Sequence, residues 1–122
     1  MNNTEVVNNT SKYIVKTTGI GSETNQELVD AEKLTEGSDG SKVSLIECYY
    51  LIEGTGTLTI SAASETETQA AGKTVAKPLS LTGKGKYGLR PNQLKYGNDK
   101  IIKLTTDANV KSYLLVTEFR RK

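Results

Sequence analysis

The chain has 122 residues, of which 35% are hydrophobic and 25% are charged, and its formal net charge is +2. This length suits one domain with a single core, and no apolar run approaches the roughly 20 residues that a membrane-spanning helix requires. Charge is distributed unevenly: residues 1–68 hold 11 acidic and 4 basic residues, whereas residues 69–122 hold 3 acidic and 12 basic residues. Such segregation lets copies of the chain or its neighbours attract one another, unless the two halves interleave in one fold.

The N-terminal residues 1–11 are polar and rich in asparagine. They predict a flexible arm that orders only against a partner, followed by a single domain over residues 12–122. The first ten residues lack the basic and apolar stretches of a secretory signal peptide. We therefore expect a protein that is made and used inside a cell, or in something assembled there.

The first half of the domain shows short β-type patterns. Residues 13–18 and 26–30 predict two strands, and Asp30 is a candidate N-cap for one turn of helix. Residues 42–52 predict a central strand because both of its faces are largely apolar. A glycine-containing loop at residues 53–56 then predicts a hairpin into a strand at residues 57–62. Strict alternation assigns one face of the central strand to Val43, Leu45, Glu47, Tyr49 and Leu51.

The second half begins with a polar stretch at residues 64–72, which predicts a long exposed loop or a weak edge strand. Residues 79–81 and 100–106 predict further strands, and residues 111–120 predict a second central strand with two partly apolar faces. One of these faces carries Tyr113, Leu115, Thr117 and Phe119. About seven to eight short strands with almost no helical periodicity indicate an all-β fold, an antiparallel β-sandwich or jelly-roll-like domain.

The absence of histidine removes the usual general base, the usual imidazole metal ligand and the Ser–His–Asp triad. Cys48 is the single cysteine, so it cannot form an intrachain disulfide, and its apolar surroundings favour a packing role. For Glu47, in the same run, a solvent-exposed or ion-paired carboxylate is favoured over a catalytic one. We expect no enzymatic activity, no catalytic residue, no cofactor and no metal site.

A glycine-rich and lysine-rich stretch at residues 83–88 invites comparison with phosphate-binding loops. It lacks the spacing and the Gly-Lys-Ser/Thr ending of a Walker loop, so a β-turn with solvated lysines is favoured. Basic residues near Tyr87 and Tyr96 could contact a nucleic-acid backbone, but no recognition helix or aromatic-basic RNA signature accompanies them. Nucleic acid is therefore not an expected partner.

Two resemblances extend beyond these patterns. The strand and glycine loop of residues 45–60 resemble a cupin, whose barrel often binds metal through His/Glu clusters, so a histidine-free version would be non-catalytic. The wider pattern, which continues through residues 79–90 and ends in the basic strand of residues 112–122, resembles the small all-β virion proteins of tailed bacteriophages. This second resemblance covers roughly residues 12–122 and implies a capsid decoration or auxiliary protein, although residues 63–77 form a longer loop than the pattern predicts.

The virion resemblance implies a structural role repeated over a shell. We expect the partners to be the major capsid protein, other virion proteins or further copies of the chain, and the location to be the virion, assembled in the host cytoplasm. No membrane partner is expected. The N-terminal arm is a candidate strap onto a neighbour. The candidate interface residues are the cations Arg90, Arg120, Arg121 and Lys122 and the acidic Glu65 and Glu67.

Two alternatives stay open at this point. The terminal basic residues could be solvated gatekeepers at the end of an apolar strand. The domain could also be a ligand-binding β-sandwich, metal-free and cupin-like or carbohydrate-module-like. Its stacking surface would then be formed by Tyr49, Tyr50, Tyr87 or Tyr96.

Overall fold

The computed structural model of the chain describes residues 1–88 and 96–121. These residues form twelve strands and one short 3-10 helix, Ala31–Lys33, which lies between the third and fourth strands. The strands are β1 (Asn2–Asn8), β2 (Lys12–Ile20), β3 (Glu23–Asp30), β4 (Val43–Gly54), β5 (Leu58–Ala62), β6 (Thr66–Thr68), β7 (Thr74–Ala76), β8 (Leu79–Leu81), β9 (Lys84–Tyr87), β10 (Tyr96–Asp99), β11 (Ile101–Thr106) and β12 (Val110–Arg121).

The strands form two main sheets. The six-stranded sheet has the order β1-β2-β12-β4-β10, and β9 also pairs with β4; the four-stranded sheet has the order β3-β11-β5-β8. All pairs within them are antiparallel, and one hydrophobic core draws residues from both sheets. The predicted all-β sandwich is confirmed, with more strands than the sequence predicts because several are only three or four residues long.

The two predicted central strands, β4 and β12, lie side by side in the six-stranded sheet. β12 pairs with β2 on one side and with β4 on the other, so neither of its edges is free. Of its two predicted faces, the one with Tyr113, Leu115, Thr117 and Phe119 is buried in the core. The Phe119 ring stacks on the ring of Tyr13 from β2, with 6.2 Å between centroids. These contacts join the middle of the sheet to the core.

The pairing of β4 with β12 is interrupted at Ile46. Glu118 lies opposite Glu47, and Phe119, the next residue on β12, lies opposite Leu45. Ile46 is therefore an extra residue on β4, which is the arrangement of a β-bulge. Because side chains alternate along a strand, one extra residue reverses which of the following side chains face the core.

The bulge corrects the predicted faces of this strand. Before it, the odd-numbered Val43 and Leu45 are buried; after it, the even-numbered Cys48 and Ile52 are buried, and the odd-numbered Tyr49 and Leu51 are each 43% exposed. Strict alternation would have kept Tyr49 and Leu51 on the same face as Leu45. The buried hydrophobic residues of β4 are Val43, Leu45, Cys48 and Ile52.

The predicted hairpin between β4 and β5 is wrong, because the two strands belong to different sheets. The loop between them carries the chain across the sandwich. Gly54 has a φ of 100°, and a Cβ on it would overlap the carbonyl oxygen of Asn109 in the turn before β12. Both edges of β4 are occupied, by β12 on one side and by β9 and β10 on the other, so β5 has no place beside it.

The N-terminal residues, predicted to be a flexible arm, form strand β1 and pair antiparallel with β2 of the same chain. The side chain of Thr17 donates a hydrogen bond to Asn3 Oδ1 at 2.7 Å, and Asn8 Oδ1 accepts one from the amide of Thr35 at 3.2 Å. The polar composition gave no sign of a strand, because the pairing is provided by the edge of β2.

Two short segments, at Asp30 and at residues 64–72, were predicted from local sequence. Asp30 caps the 3-10 helix as predicted: its carboxylate accepts a hydrogen bond from the amide of Glu32 at 3.1 Å. The polar stretch predicted as a loop or weak edge strand contains β6, which forms a small hairpin with β7 that pairs with neither main sheet. The amide of Ser64, just before this hairpin, donates to the carboxylate of Asp99 at 3.1 Å.

Gly88 provides a test of the bulge. Its φ is 96°, and a Cβ on it would overlap the carbonyl oxygen of Ile46. We expect Gly88→Ala to lower the free energy of unfolding by about 3 kcal/mol or more, because it adds a backbone clash to an unfavourable φ. Gly72→Ala is the matched control, since Gly72 has a φ of 78° with nothing within 4 Å of the added Cβ. Its expected loss is about 1 kcal/mol; equal losses in urea denaturation would contradict the close contact.

Candidate interaction surface

The outer face of the six-stranded sheet carries a cluster of apolar side chains that the core does not use. Leu114 and Val116 alternate with the buried residues of β12, so they point away from the core. In register, Leu114 lies opposite Leu51, and Val116 lies opposite Tyr49. Cross-strand partners share a face, so these residues form one patch, which we call the outer apolar cluster. Its members are Tyr49, Leu51, Leu114 and Val116.

Three lysines flank the outer apolar cluster and form a lysine rim. Lys84 and Lys86 of β9 lie opposite Leu51 and Tyr49, and Lys16 of β2 lies opposite Val116. The ammonium group of Lys86 is 4.8 Å from the centroid of the Tyr49 ring, a cation–π contact. All three lysines are exposed, and none of them forms an ion pair with another described residue. The patch is therefore apolar at its centre and positive at its sides.

A shallow depression of about 180 Å³ lies over the outer apolar cluster, with Tyr50 and Gly85 completing its lining. Pockets for small-molecule ligands typically measure about 300–1,000 Å³, so this one is suited to a side chain of a partner. A second depression, of about 390 Å³, lies on the four-stranded sheet and is lined by Asn25, Ser61, Lys103 and apolar neighbours. The described residues that line the second depression include no aromatic ring on which a sugar could stack.

The sheet edges carry the features that discourage strand addition. β1 contains an irregularity in its pairing at Val6, and its Glu5 shares a face with the buried Val15. β8 has only three residues and follows Pro78, while β9 carries two lysines. A partner is therefore expected to contact a face of the sandwich, and the N-terminal strand is already paired within its own chain.

The predicted cationic anchors do not form a single group. Arg90 and Lys122 lie outside the described residues. Arg121 is bound to the turn between β1 and β2: its amide donates to Ser11 O at 3.0 Å, and its guanidinium donates to Asn9 O. Arg120, on the opposite side of β12, is exposed on the outer face. Of the described pair, only Arg120 is available to a partner.

The two predicted acidic residues also differ. Glu65 is half-buried, and its Oε1 accepts a hydrogen bond from the amide of Gly97 at 2.9 Å, which ties the β6–β7 hairpin to β10. Glu67 is exposed in β6. Glu65 thus contributes to the fold, and Glu67 remains an interface candidate.

The four tyrosines considered for ligand stacking do not share a surface. Tyr96 is 8% exposed, and its hydroxyl donates within the interior, lying 2.6 Å from Lys77 O and 3.1 Å from Ile60 O. Burial, followed by the nearby charge of Glu65, raises the pKa of Tyr96. Tyr50 and Tyr87 are partly buried against the core. Among these four residues, Tyr49 is the one with an exposed ring.

Cys48 is fully buried, as its sequence context predicts. Burial, with a smaller contribution from the charge of Glu47, raises the pKa of its thiol from 9.0 to about 12. The neutral thiol is therefore maintained throughout the physiological range, which suits packing and not nucleophilic chemistry. Glu47 itself is half-buried on the outer face, directly opposite Glu118.

The buried thiol predicts how stability responds to alkali. The pKa of Cys48 is higher in the folded chain than in the unfolded chain. The stability that the buried neutral thiol contributes is therefore fully present below pH 9, and it is lost as pH rises towards about 12. The Cys48 contribution to this slope should approach about 1.4 kcal/mol per pH unit between those values. Cys48→Ala should give a shallower fall in the free energy of unfolding over this range, although its packing defect lowers stability at every pH. Equal slopes for the two proteins would contradict a protonated, buried thiol.

The sequence did not single out most residues of this surface. The signal that could have found Leu114 and Val116 was the second apolar face predicted for residues 111–120, since a strand with two apolar faces needs cover on both. The outward orientation of Tyr49 and Leu51 could not be predicted, because the sequence does not reveal the bulge. Lys84 and Lys86 were predicted as solvated lysines of a turn, but they lie on strand β9.

Comparison with protein-family models, with curated proteins and with solved structures finds no match to this chain. Within residues 1–88 and 96–121, no group of three or more His, Cys, Asp or Glu side chains is placed to hold a metal ion. No helix in the same part of the chain has the length and apolar character needed to cross a membrane.

Proposed function

We propose that this chain is a non-enzymatic structural protein of a bacteriophage virion, a capsid decoration or auxiliary protein that binds and stabilises the shell. The observation that carries the proposal is the outer apolar cluster with its lysine rim. Tyr49 and Leu51 remain 43% exposed in the centre of a sheet, where apolar side chains are ordinarily covered. A protein partner would bury this patch and bring carboxylates to the lysines.

The side chains of this protein favour a binding role over a catalytic one. It has no histidine, and its one cysteine is buried with a raised pKa. The patch lies on the paired strands β4, β9 and β12, so its backbone is held in place before a partner arrives, which lowers the entropic cost of binding. Weak contacts of this kind become strong when a lattice repeats them.

Particle composition tests the proposal directly. Mass spectrometry of purified particles of the phage that encodes this chain should detect it at a copy number comparable with a repeating shell site. Its absence from the particles, or a copy number of one or two, would contradict a shell-wide role. Removal of the protein should also lower the temperature at which the particles lose their nucleic acid.

Leu51 should dominate attachment through the outer apolar cluster. We expect Leu51→Gln to lower particle occupancy about tenfold, because it places a polar amide where the partner must cover an aliphatic side chain. The melting temperature of the isolated protein should change little, since Leu51 is 43% exposed. Val6→Gln is the matched control, because Val6 is 60% exposed in edge strand β1, away from the cluster. Equal occupancy for all three proteins would contradict attachment through this face.

A further inference from the structure

The β-bulge in β4 lies beside a second feature of the outer face, a notch of about 240 Å³. We call it the Lys12–Arg120 notch. Ile46, the extra residue of the bulge, forms its apolar wall, and its polar residues come from β2, β12 and the turn before β2. The notch is lined by Ser11, Lys12, Ile46, Glu118 and Arg120.

The notch places two cations side by side. Lys12 and Arg120 are directly opposite each other in the pairing of β2 with β12. Like charges in this position destabilise a sheet. Both side chains are exposed, and neither forms an ion pair within the described part of the chain. The fold therefore keeps an unfavourable pair that an anion from outside would convert into a favourable one.

Hydrogen bonds hold the backbone around the notch. Asn9 Oδ1 accepts hydrogen bonds from the amides of Ser11 and Lys12 and from the Ser11 hydroxyl, each at 3.0 Å. Arg121 adds the contacts that tie the end of β12 to the same turn. Arg120 thus starts from a fixed backbone position on a paired strand, and a site presented in this way loses less entropy on binding than a free terminal tail.

The charge of the notch favours a single negative charge. Among the lining residues, Lys12 and Arg120 are offset by the carboxylate of Glu118, which leaves one net positive charge; Glu47, opposite Glu118 on β4, is not part of the lining. A carboxylate matches this value and fits the planar fork of an arginine, whereas a phosphate dianion or a nucleic-acid backbone would bring excess negative charge next to Glu118.

We propose that the Lys12–Arg120 notch binds one carboxylate of a protein partner, presented by an acidic side chain of the shell surface that covers the neighbouring outer apolar cluster. This inference rests on the proposed function for the identity of the partner, and on the notch alone for the chemistry of the ligand. Under this proposal Arg120 binds the partner, whereas Arg121 stabilises the fold.

The ligand chemistry can be tested on the isolated full chain by amide NMR titration. The N-methylamide of N-acetylglutamate, whose side-chain carboxylate is its one charge, should shift the amides of the notch residues. The N-methylamide of N-acetylglutamine, which has no carboxylate, should not shift them at the same ionic strength. Arg120→Gln should remove this response, and Lys111→Gln, which changes an exposed lysine at the other end of β12, should retain it. Larger shifts with inorganic phosphate would reassign the notch to phosphate, and an unchanged response in Arg120→Gln would overturn the proposal.

Particle binding tests the role of the notch separately. Arg120→Gln should weaken attachment about tenfold and reduce its dependence on salt, because one charge pair is lost. Its melting temperature should not fall, since the substitution relieves the repulsion from Lys12. If the wild-type chain fails to bind particles, the proposed function fails while the titration still measures the notch. If the wild type binds and Arg120→Gln binds equally well, the role of the notch in attachment is wrong.

Discussion

The β-bulge at Ile46 is the constraint on which both candidate surfaces depend. It adds one residue to β4 against β12, so the side chains that follow it change sides. Cys48 and Ile52 therefore enter the core, and Tyr49 and Leu51 turn outward to meet Leu114 and Val116. The same extra residue forms a wall of the Lys12–Arg120 notch. Gly88 approaches the bulge so closely that no side chain fits there.

The topology brings the acidic and basic halves of the sequence together in space. Strand β12 from the basic half lies between β2 and β4 from the acidic half, and β11 lies between β3 and β5. Opposite charges consequently meet inside the domain, as in the ion pair between Lys100 and Glu32 at 3.0 Å. This pair lowers the pKa of Glu32, with a further hydrogen bond from the amide of Gly40, and raises the pKa of Lys100. Lys12, Lys16, Lys84, Lys86 and Arg120, which have no ion pair among the described residues, lie on the outer face of the six-stranded sheet.

The sequence predicted only part of the candidate site. Arg120 was predicted as a cationic anchor at the end of a central strand. Arg121 was predicted to have the same role because it is the next residue in the chain. Neighbouring residues on a strand point to opposite faces, and here the Arg121 side chain meets the carbonyl oxygen of Asn9, while the Arg120 side chain meets Lys12 and Glu118. Which neighbour each arginine meets depends on the register of β2, which no local pattern encodes.

The sequence by itself determined the all-β class, the two central strands, the Asp30 cap and the packing role of Cys48. Each of these follows from local alternation, local capping chemistry or an apolar neighbourhood. Only the tertiary structure decided that β4 and β5 lie in different sheets, that the N-terminal residues form β1, and that a bulge exposes Tyr49 and Leu51. The reason is that strand pairing joins residues far apart in the chain, so the partner strand, and not the strand's own residues, sets sheet membership and register.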